Sequence, residues 1–256
     1  MRVKVLVPIY RYPTADEMRA LRNNCSALAK HDIAVLAPEG LGLEALEREM
    51  PQLEVIRVSD CWLGKRNGIA GYNRMMMSAE FYAMFAEWDY ILICHTDAWI
   101  FRDELVAWCA KGYDCVAAPW IRRRVYDLPI VKQYMSFREW MRHRSGHKCR
   151  ADLYGRIGNG GLTLRKVDSF MRGCLQYAET IETYLNGGSH FYNEDIFWAT
   201  EPKEFRYPDW REALEFAFDT NPAYCYRLMG KRLPMGCHSW TKPKMWRFWR
   251  NIIGNK

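Results

Sequence analysis

Unbroken apolar runs alternate with helix-spaced apolar positions over the first 120 residues. Val3 to Ile9 reads as a central strand, and Tyr90-Ile-Leu-Ile-Cys94 as a strand buried on both faces. Between them, Thr14-Ala-Asp-Glu17 matches a capping box, in which the Thr14 and Glu17 side chains satisfy the first free amides of a helix. Met18, Leu21, Cys25 and Leu28 follow at helical spacing, so one face of residues 15–30 is expected to be buried. Ile33 to Leu36 predicts a second strand, Leu43 to Met50 a short helix stopped by Pro51, and Leu53 to Val58 a third strand. The stretch from Tyr72 to Glu87 is apolar nearly all round and predicts a buried helix with a polar first turn, Tyr72-Asn73-Arg74. Asp103 to Lys111 predicts a helix ended by Gly112, and Tyr113 to Ala118 one more strand. Strands and helices alternating at this rhythm imply an α/β fold with a mostly parallel central sheet flanked by helices.

Beyond residue 120 the pattern changes. Tyr134, Phe137 and Met141 fall on one helical stripe and Arg138 and Arg142 on another, which predicts a basic amphipathic helix or lid within 121–150. Gly158-Asn-Gly-Gly161 reads as a tight turn feeding a short strand, Leu162-Thr-Leu164. A helix is expected over 167–185. Asn193-Glu194-Asp195 then opens another, whose apolar face is Ile196, Phe197 and Trp198.

Charge sharpens this picture. The net charge is +7, yet residues 121–150 hold nine Lys/Arg against two acids and residues 241–256 hold five against none. Positive charge gathered into two segments suits an anionic partner surface such as an inner membrane leaflet, a phosphate-bearing acceptor or a nucleic acid. Nine cysteines, odd in number and without a C-x-x-C pair, favour reduced, buried thiols in a cytoplasmic protein. With 49% apolar residues there is material for a large core. The N-terminal apolar run is too short for a signal peptide, and no run approaches the ~18–20 residues that span a bilayer.

Candidate chemistry lies where elements end. In an open α/β sheet, ligands bind at the C-terminal edge of the strands, and there the 90–94 run gives way to His95-Thr96-Asp97. A carboxylate delivered at that edge suits a divalent cation held against phosphate oxygens. Strand alternation would put His95 and Asp97 on one side. The Glu194-Asp195 pair offers a general base. His238, in Gly236-Cys-His-Ser-Trp240, offers an imidazole that with Asp97 makes a mixed N/O shell, better suited to Mn²⁺ than to Mg²⁺. Taken singly, each has a structural reading: Asp97 as a turn cap, the acidic pair as complements to a helix dipole, His238 as a satisfied buried histidine. The turn after the first strand, Tyr10-Arg-Tyr-Pro-Thr14, has no glycine, so neither a dinucleotide fingerprint nor a P-loop stands where it should.

These residues together resemble GT-A-type glycosyltransferases. More closely, the chain is similar to a bacterial and eukaryotic family catalogued as of unknown function and held to be glycosyltransferases. The match is carried by Gly71-Tyr-Asn-Arg74, His95-Thr-Asp-Ala98, Gly112-Tyr-Asp114 with Ala118-Pro-Trp120, Gly158-Asn-Gly-Gly161 through Leu164-Arg-Lys166, Asn193-Glu-Asp-Ile-Phe-Trp198 and Gly236-Cys-His238. The resemblance implies a GT-A-like body over 1–240, with a nucleotide-binding half (1–120), a basic lid or insertion (121–150) and an acceptor half (151–240), followed by a tail at 241–256. It implies a nucleotide-sugar donor, a carbohydrate or lipid-linked glycan acceptor, and a divalent cation (Mn²⁺ or Mg²⁺) held by Asp97 and His238. The class motif is commonly Asp-x-Asp; His95-Thr96-Asp97 keeps its last Asp. Asp195, then Glu194, would be the base. Donor contacts would come from Pro8, Tyr10, Asn73, Arg74, Asp97, Gly160 and Gly161, with Trp120, Trp198 and Trp240 as candidate sugar-stacking surfaces. Trp246, Phe248, Trp249, Ile252 and Ile253 among basic residues add an expected peripheral membrane contact through 242–256 at the inner face, with packing of the tail on the body as the other reading. A nucleotidyltransferase, or a noncatalytic carbohydrate- or nucleic-acid-binding protein, is the alternative; no nucleic acid is expected on the main reading.

Overall fold

The computed structural model describes residues 1–64, 66–146 and 148–254; His147 of the basic segment and the last two residues of the tail fall outside them. The chain enters through β1 (Val3–Pro8), all six residues of which are buried. It crosses α1 (Ala15–Ala27) to the parallel strand β2 (Asp32–Pro38), then α2 (Glu44–Glu49) to β3 (Glu54–Val58), again parallel. The expected capping box is present at Thr14 and Glu17. α3 (Gly68–Met76) and α4 (Ala79–Ala83) bring the chain back to β4 (Tyr90–Cys94), which pairs parallel with β1 on its other side. Connections therefore leave β1 and β4 in opposite directions. The crevice beyond their C-terminal ends is the switch point at which α/β sheets bind ligands.

The remaining elements complete the sheet and build a second one. β5 (Trp99–Ile100), α5 (Leu105–Ala110), β6 (Cys115–Ala117) and α6 (Pro129–Arg144) precede β7 (Leu162–Lys166). Then come α7 (Val167–Gln176), α8 (Ala178–Leu185), α9 (Glu194–Thr200) and α10 (Trp210–Phe216). The chain ends with β8 (Ala217–Phe218), α11 (Pro222–Leu228), β9 (Gly236–Cys237) and α12 (Pro243–Trp249). The six-stranded sheet runs β3-β2-β1-β4-β7-β6, and β7 alone runs opposite to the other five strands. A three-stranded sheet, β5-β9-β8, lies beyond β4 in the chain.

Three expectations are corrected. The helix foreseen over 72–87 begins earlier, at Gly68, and breaks at Met77-Ser78. The break has a tertiary cause: the Met76 carbonyl accepts from the Trp198 indole (3.0 Å) and the Tyr82 hydroxyl (2.9 Å). The helix foreseen over 167–185 is likewise two, divided at Tyr177. The aromatic tail packs on the body: Trp249 and Ile253 are fully buried beside Trp99, Phe218 and Trp240, and Phe101 stacks on Trp249 at 5.5 Å. Side chains committed to that cluster are not available to a lipid surface, so the apolar contact expected of the tail is an intramolecular one.

Candidate functional site

The small sheet delivers three polar side chains to one place. β8 and β9 are parallel, with Ala217 opposite Gly236 and Phe218 opposite Cys237, so the next residues, Asp219 and His238, come side by side. β5 runs antiparallel to β9, with Trp99 opposite Cys237, so the turn before it brings Asp97 to the same end. His238 Nδ1 lies 3.0 Å from an Asp219 carboxylate oxygen and Nε2 3.0 Å from one of Asp97. Two flanking carboxylates require both ring nitrogens to carry protons. Burial alone would lower the pKa of His238, but these hydrogen bonds and charges outweigh it and raise the value to about 9. Burial likewise works against the Asp97 carboxylate; the bond to His238 and its charge hold it well below the usual carboxylate range.

Asp97 reaches this position from a turn and not from the strand itself. β4 ends at Cys94, and the Ala98 amide bonds back to the His95 carbonyl at 2.9 Å. The buried Asn24 side chain of α1 pins the turn, donating to the Ala98 carbonyl (2.9 Å) and accepting from the Ile100 amide (2.8 Å). His95 still joins the group: His95, Asp97 and His238 each offer a ligand atom within 4.8 Å of the others. Burial, helped by the nearby His238 charge, pushes His95 down to about 3, so its ring is neutral. The Tyr72 hydroxyl bonds its Nε2 at 2.8 Å.

The Gly158–Gly161 turn joins this group to the acidic pair. A Cβ on Gly161 would lie 2.1 Å from the His238 ring, and one on Gly160 2.5 Å from Glu194 and 3.5 Å from the Asp195 Cβ. Adjacent glycines thus let His238 and the start of α9 close on the same turn from two directions. The two acids are in different states. Glu194 is 3% exposed and pairs at 2.8 Å with Arg165, itself 1% exposed in the middle of β7. Glu194 is the counter-ion of a buried guanidinium, which leaves Asp195 the freer of the two acids. Asp195 is half-buried and, among the described residues, accepts only from its neighbour's amide, Ile196 N, at 2.8 Å. Burial, followed by the negative charge of Glu194, raises its pKa to about 7.

The other expected residues divide. Pro8 is buried at the end of β1 and Tyr10 is exposed just beyond it. Their loop lies against the Asp97 turn, because Glu17 takes Arg11 (2.8 Å) and the Thr96 hydroxyl (3.2 Å) together. Asn73, expected at the donor, holds the start of the acidic helix. It donates to the Asn193 side chain (3.1 Å) and accepts from the Glu194 amide (3.2 Å). Arg74 is exposed and makes no ion pair among the described residues. Trp198 and Trp240 are fully buried, so neither can stack on a sugar, and Trp120 is nearly so. Sequence reasoning assigns no role to Asp219, Asn24 or Arg165, the last of which stands within a matching segment, Leu164-Arg-Lys166. Only Asp219 carried a usable signal, since Phe216-Ala-Phe-Asp219 ends an apolar run in a carboxylate as the 90–97 stretch does.

The donor set fits a divalent cation. Two imidazoles and a carboxylate converge: a cation would take the place of the proton that His238 Nε2 shares with Asp97, while Nδ1–H stays bonded to Asp219 and orients the ring as ligating histidines are commonly oriented. A second group, His143, Cys149 and Asp152, is accounted for by Asp152 capping the Cys149 amide at 2.8 Å and taking His143 at 2.8 Å. Among solved structures the fold is similar to that of the galactosyltransferase LgtC in complex with donor and acceptor sugar analogs. The two are 16% identical, over 92% of this chain and 86% of that one, with a TM-score of 0.53. It is also similar to mouse xyloside xylosyltransferase 1 (11% identity, 93% and 96% covered, TM-score 0.50) and to the bifunctional glycosyltransferase WbbM (15%, 93% and 45%, 0.55). The fold is GT-A-like, and at these identities the likeness extends to the fold alone. No curated protein matches the chain in sequence. Residues 52–238 match DUF5672, a family described as a protein of unknown function; the span holds every candidate from Asn73 to His238 and leaves out β1. The chain belongs to the DUF5672 family.

Proposed function

We propose that the protein transfers a sugar from a nucleoside-diphosphate sugar to a hydroxyl of a carbohydrate acceptor. The observation that carries this is the convergence of Asp97, His238 and Asp195 on the Gly160-Gly161 turn, near the ends of β1 and β4. His95, Asp97 and His238 would hold a divalent cation, Mn²⁺ better than Mg²⁺ for a set with two nitrogens, which when bound neutralises charge on the departing diphosphate. Asp195 is the base. Its half-buried carboxylate takes the proton of the attacking hydroxyl, and a pKa near 7 matches that task near neutral pH. Such a base is what a displacement inverting the anomeric carbon needs. Asp219 and Glu194 hold the ligand histidine and the acidic helix in place. Tyr10 and Arg74, exposed in the sequence segments flanking the crevice, contact the donor, with Pro8, Gly160 and Gly161 supplying backbone beside it.

The test is turnover of a panel of nucleotide sugars with and without added Mn²⁺. Wild-type protein hydrolyses or transfers at least one donor in a metal-dependent way. Asp97→Asn loses that activity while its melting temperature stays within a few degrees of wild type. Equal turnover by the two proteins rules the reading out.

A further inference from the structure

Helix α6 is built the wrong way round for a helix that serves a core. None of its described residues is buried. Ile130, Tyr134, Phe137 and Met141, at i, i+4, i+7 and i+11, form one stripe, exposed at 83%, 60%, 60% and 46%. The better-covered positions, Val131, Met135 and Glu139, lie on another side. The apolar stripe therefore faces away from the body, and exposed Val125 and Leu128 extend it past the helix N-terminus. Trp140 flanks it, stacked on Phe137 at 6.1 Å. Cations border it: Arg138 lies over the Tyr134 ring at 5.8 Å and Arg144 over Trp140 at 5.3 Å.

An apolar stripe bordered by arginines, in a segment with nine Lys/Arg and two acids, is the composition of a helix lying in a lipid–water interface. Aromatic rings and aliphatic stems enter the acyl boundary while guanidinium heads stay at headgroup phosphates. A second copy of the chain is a poor occupant, because a two-fold contact through this face would set the same arginines against one another. We propose that α6 is an interfacial helix that docks the protein on a membrane surface rich in anionic phospholipid. Its C-terminal end lies close in space to the segment before the acidic helix: Arg142 lies over the Phe191 ring at 5.9 Å and Lys148, just past the helix, over Tyr192 at 5.0 Å, ahead of Asn193. Docking would thus bring α9 and Asp195 toward the lipid face. The inference does not depend on the sugar-transfer reading.

Co-sedimentation of the full chain with phosphatidylglycerol-containing vesicles tests it, against pure phosphatidylcholine vesicles and at raised salt. The expected result is binding to anionic vesicles at least tenfold tighter than to zwitterionic ones, weakened by salt. Phe137→Ser/Trp140→Ser and, separately, Arg138→Glu/Arg144→Glu should each lower it about tenfold without moving the melting temperature, since all four side chains are exposed. Lys244→Glu/Arg247→Glu in the tail should bind as wild type. The proposal is overturned if anionic and zwitterionic vesicles bind alike, or if both α6 variants bind as wild type. It is equally overturned if only the tail variant loses binding, or if the chain ignores vesicles and instead forms a dimer that Phe137→Ser/Trp140→Ser disperses.

Discussion

At the scale of single residues, the site divides its ionisable groups by what surrounds each one. His238 carries a charge between Asp97 and Asp219 until a cation takes the place of its Nε2 proton, His95 is neutral because it is buried beside that charge, and Asp195 is held near 7 by burial next to Glu194. A base must be ionised to accept a proton, so the pH dependence has a definite sign. Below about 7 Asp195 is protonated and idle; the rate should climb with pH and level off above about 7. A profile of kcat/KM against pH for any active donor–acceptor pair would show that rising limb. Asp195→Asn should lower the plateau by roughly 10²- to 10⁴-fold, the usual worth of a positioned base. A variant that keeps the wild-type profile would remove Asp195 from that role. The sequence singled out Asp97 and His238 as polar residues near the end of apolar stretches and Asp195 as an acid opening an apolar helix. Asp219 obeys the same rule but follows a strand of only two residues entered straight from a helix, too short to read as a strand.

At the scale of elements, the decisive link joins β7 to α9 through Arg165 and Glu194. A charged residue in Leu162-Thr-Leu-Arg-Lys166 reads as the solvent end of a strand, and nothing local says that it faces a carboxylate far along the chain. The register says so: Arg165 is flanked by Ile91 of β4 and Cys115 of β6, away from water on both sides. Its guanidinium also donates to the Tyr82 hydroxyl at 2.8 Å. Removing one partner strands the other's charge in the interior, a change that costs about 3–5 kcal/mol, whereas replacing both can be close to neutral. Urea denaturation of Arg165→Met should show a loss of that order, and Arg165→Met/Glu194→Gln should recover part of it. A double variant as unstable as the single would mean that the pair does not hold α9. The same kind of distant demand explains why the helix expected over 72–87 is two, because Met76 gives its carbonyl to Trp198 and Tyr82. Periodicity reports which face of an element is apolar, and the parallel strands, the capping box and the existence of the α6 stripe were legible on that basis, though not that the stripe faces outward. It does not report what a distant side chain will require of the backbone.

At the scale of the whole molecule, the C-terminal segment ties the candidate site to the rest of the protein. The strands that carry Asp97, Asp219 and His238 belong to a sheet of short strands, β5-β9-β8, which could not be stable by itself. It is backed by an aromatic cluster in which Trp99, Phe218 and Trp240 meet Trp249 and Ile253 from the tail, and Trp240 approaches Trp246 at 5.7 Å. α1 closes the cluster from the other side, where Ala20 is fully buried. The tail is thus the floor beneath the His238 and Asp219 turns. Composition alone left it open whether these aromatics met lipid or protein, because both surfaces accept tryptophan beside cations. Burying one large apolar side chain stabilises by about 1.5–3 kcal/mol, so loss of Trp249 and Ile253 together should cost about 3–6 kcal/mol. Truncation after Lys242 should therefore lower the melting temperature and, where the body still folds, weaken Mn²⁺ binding, because the strand ends that hold His238 and Asp97 lose their support. Trp249→Ala in the full chain should act in the same direction with a smaller effect. Calorimetry and metal titration of both proteins would check this. A truncated protein with wild-type stability and wild-type metal affinity would show the tail to be a separate appendage.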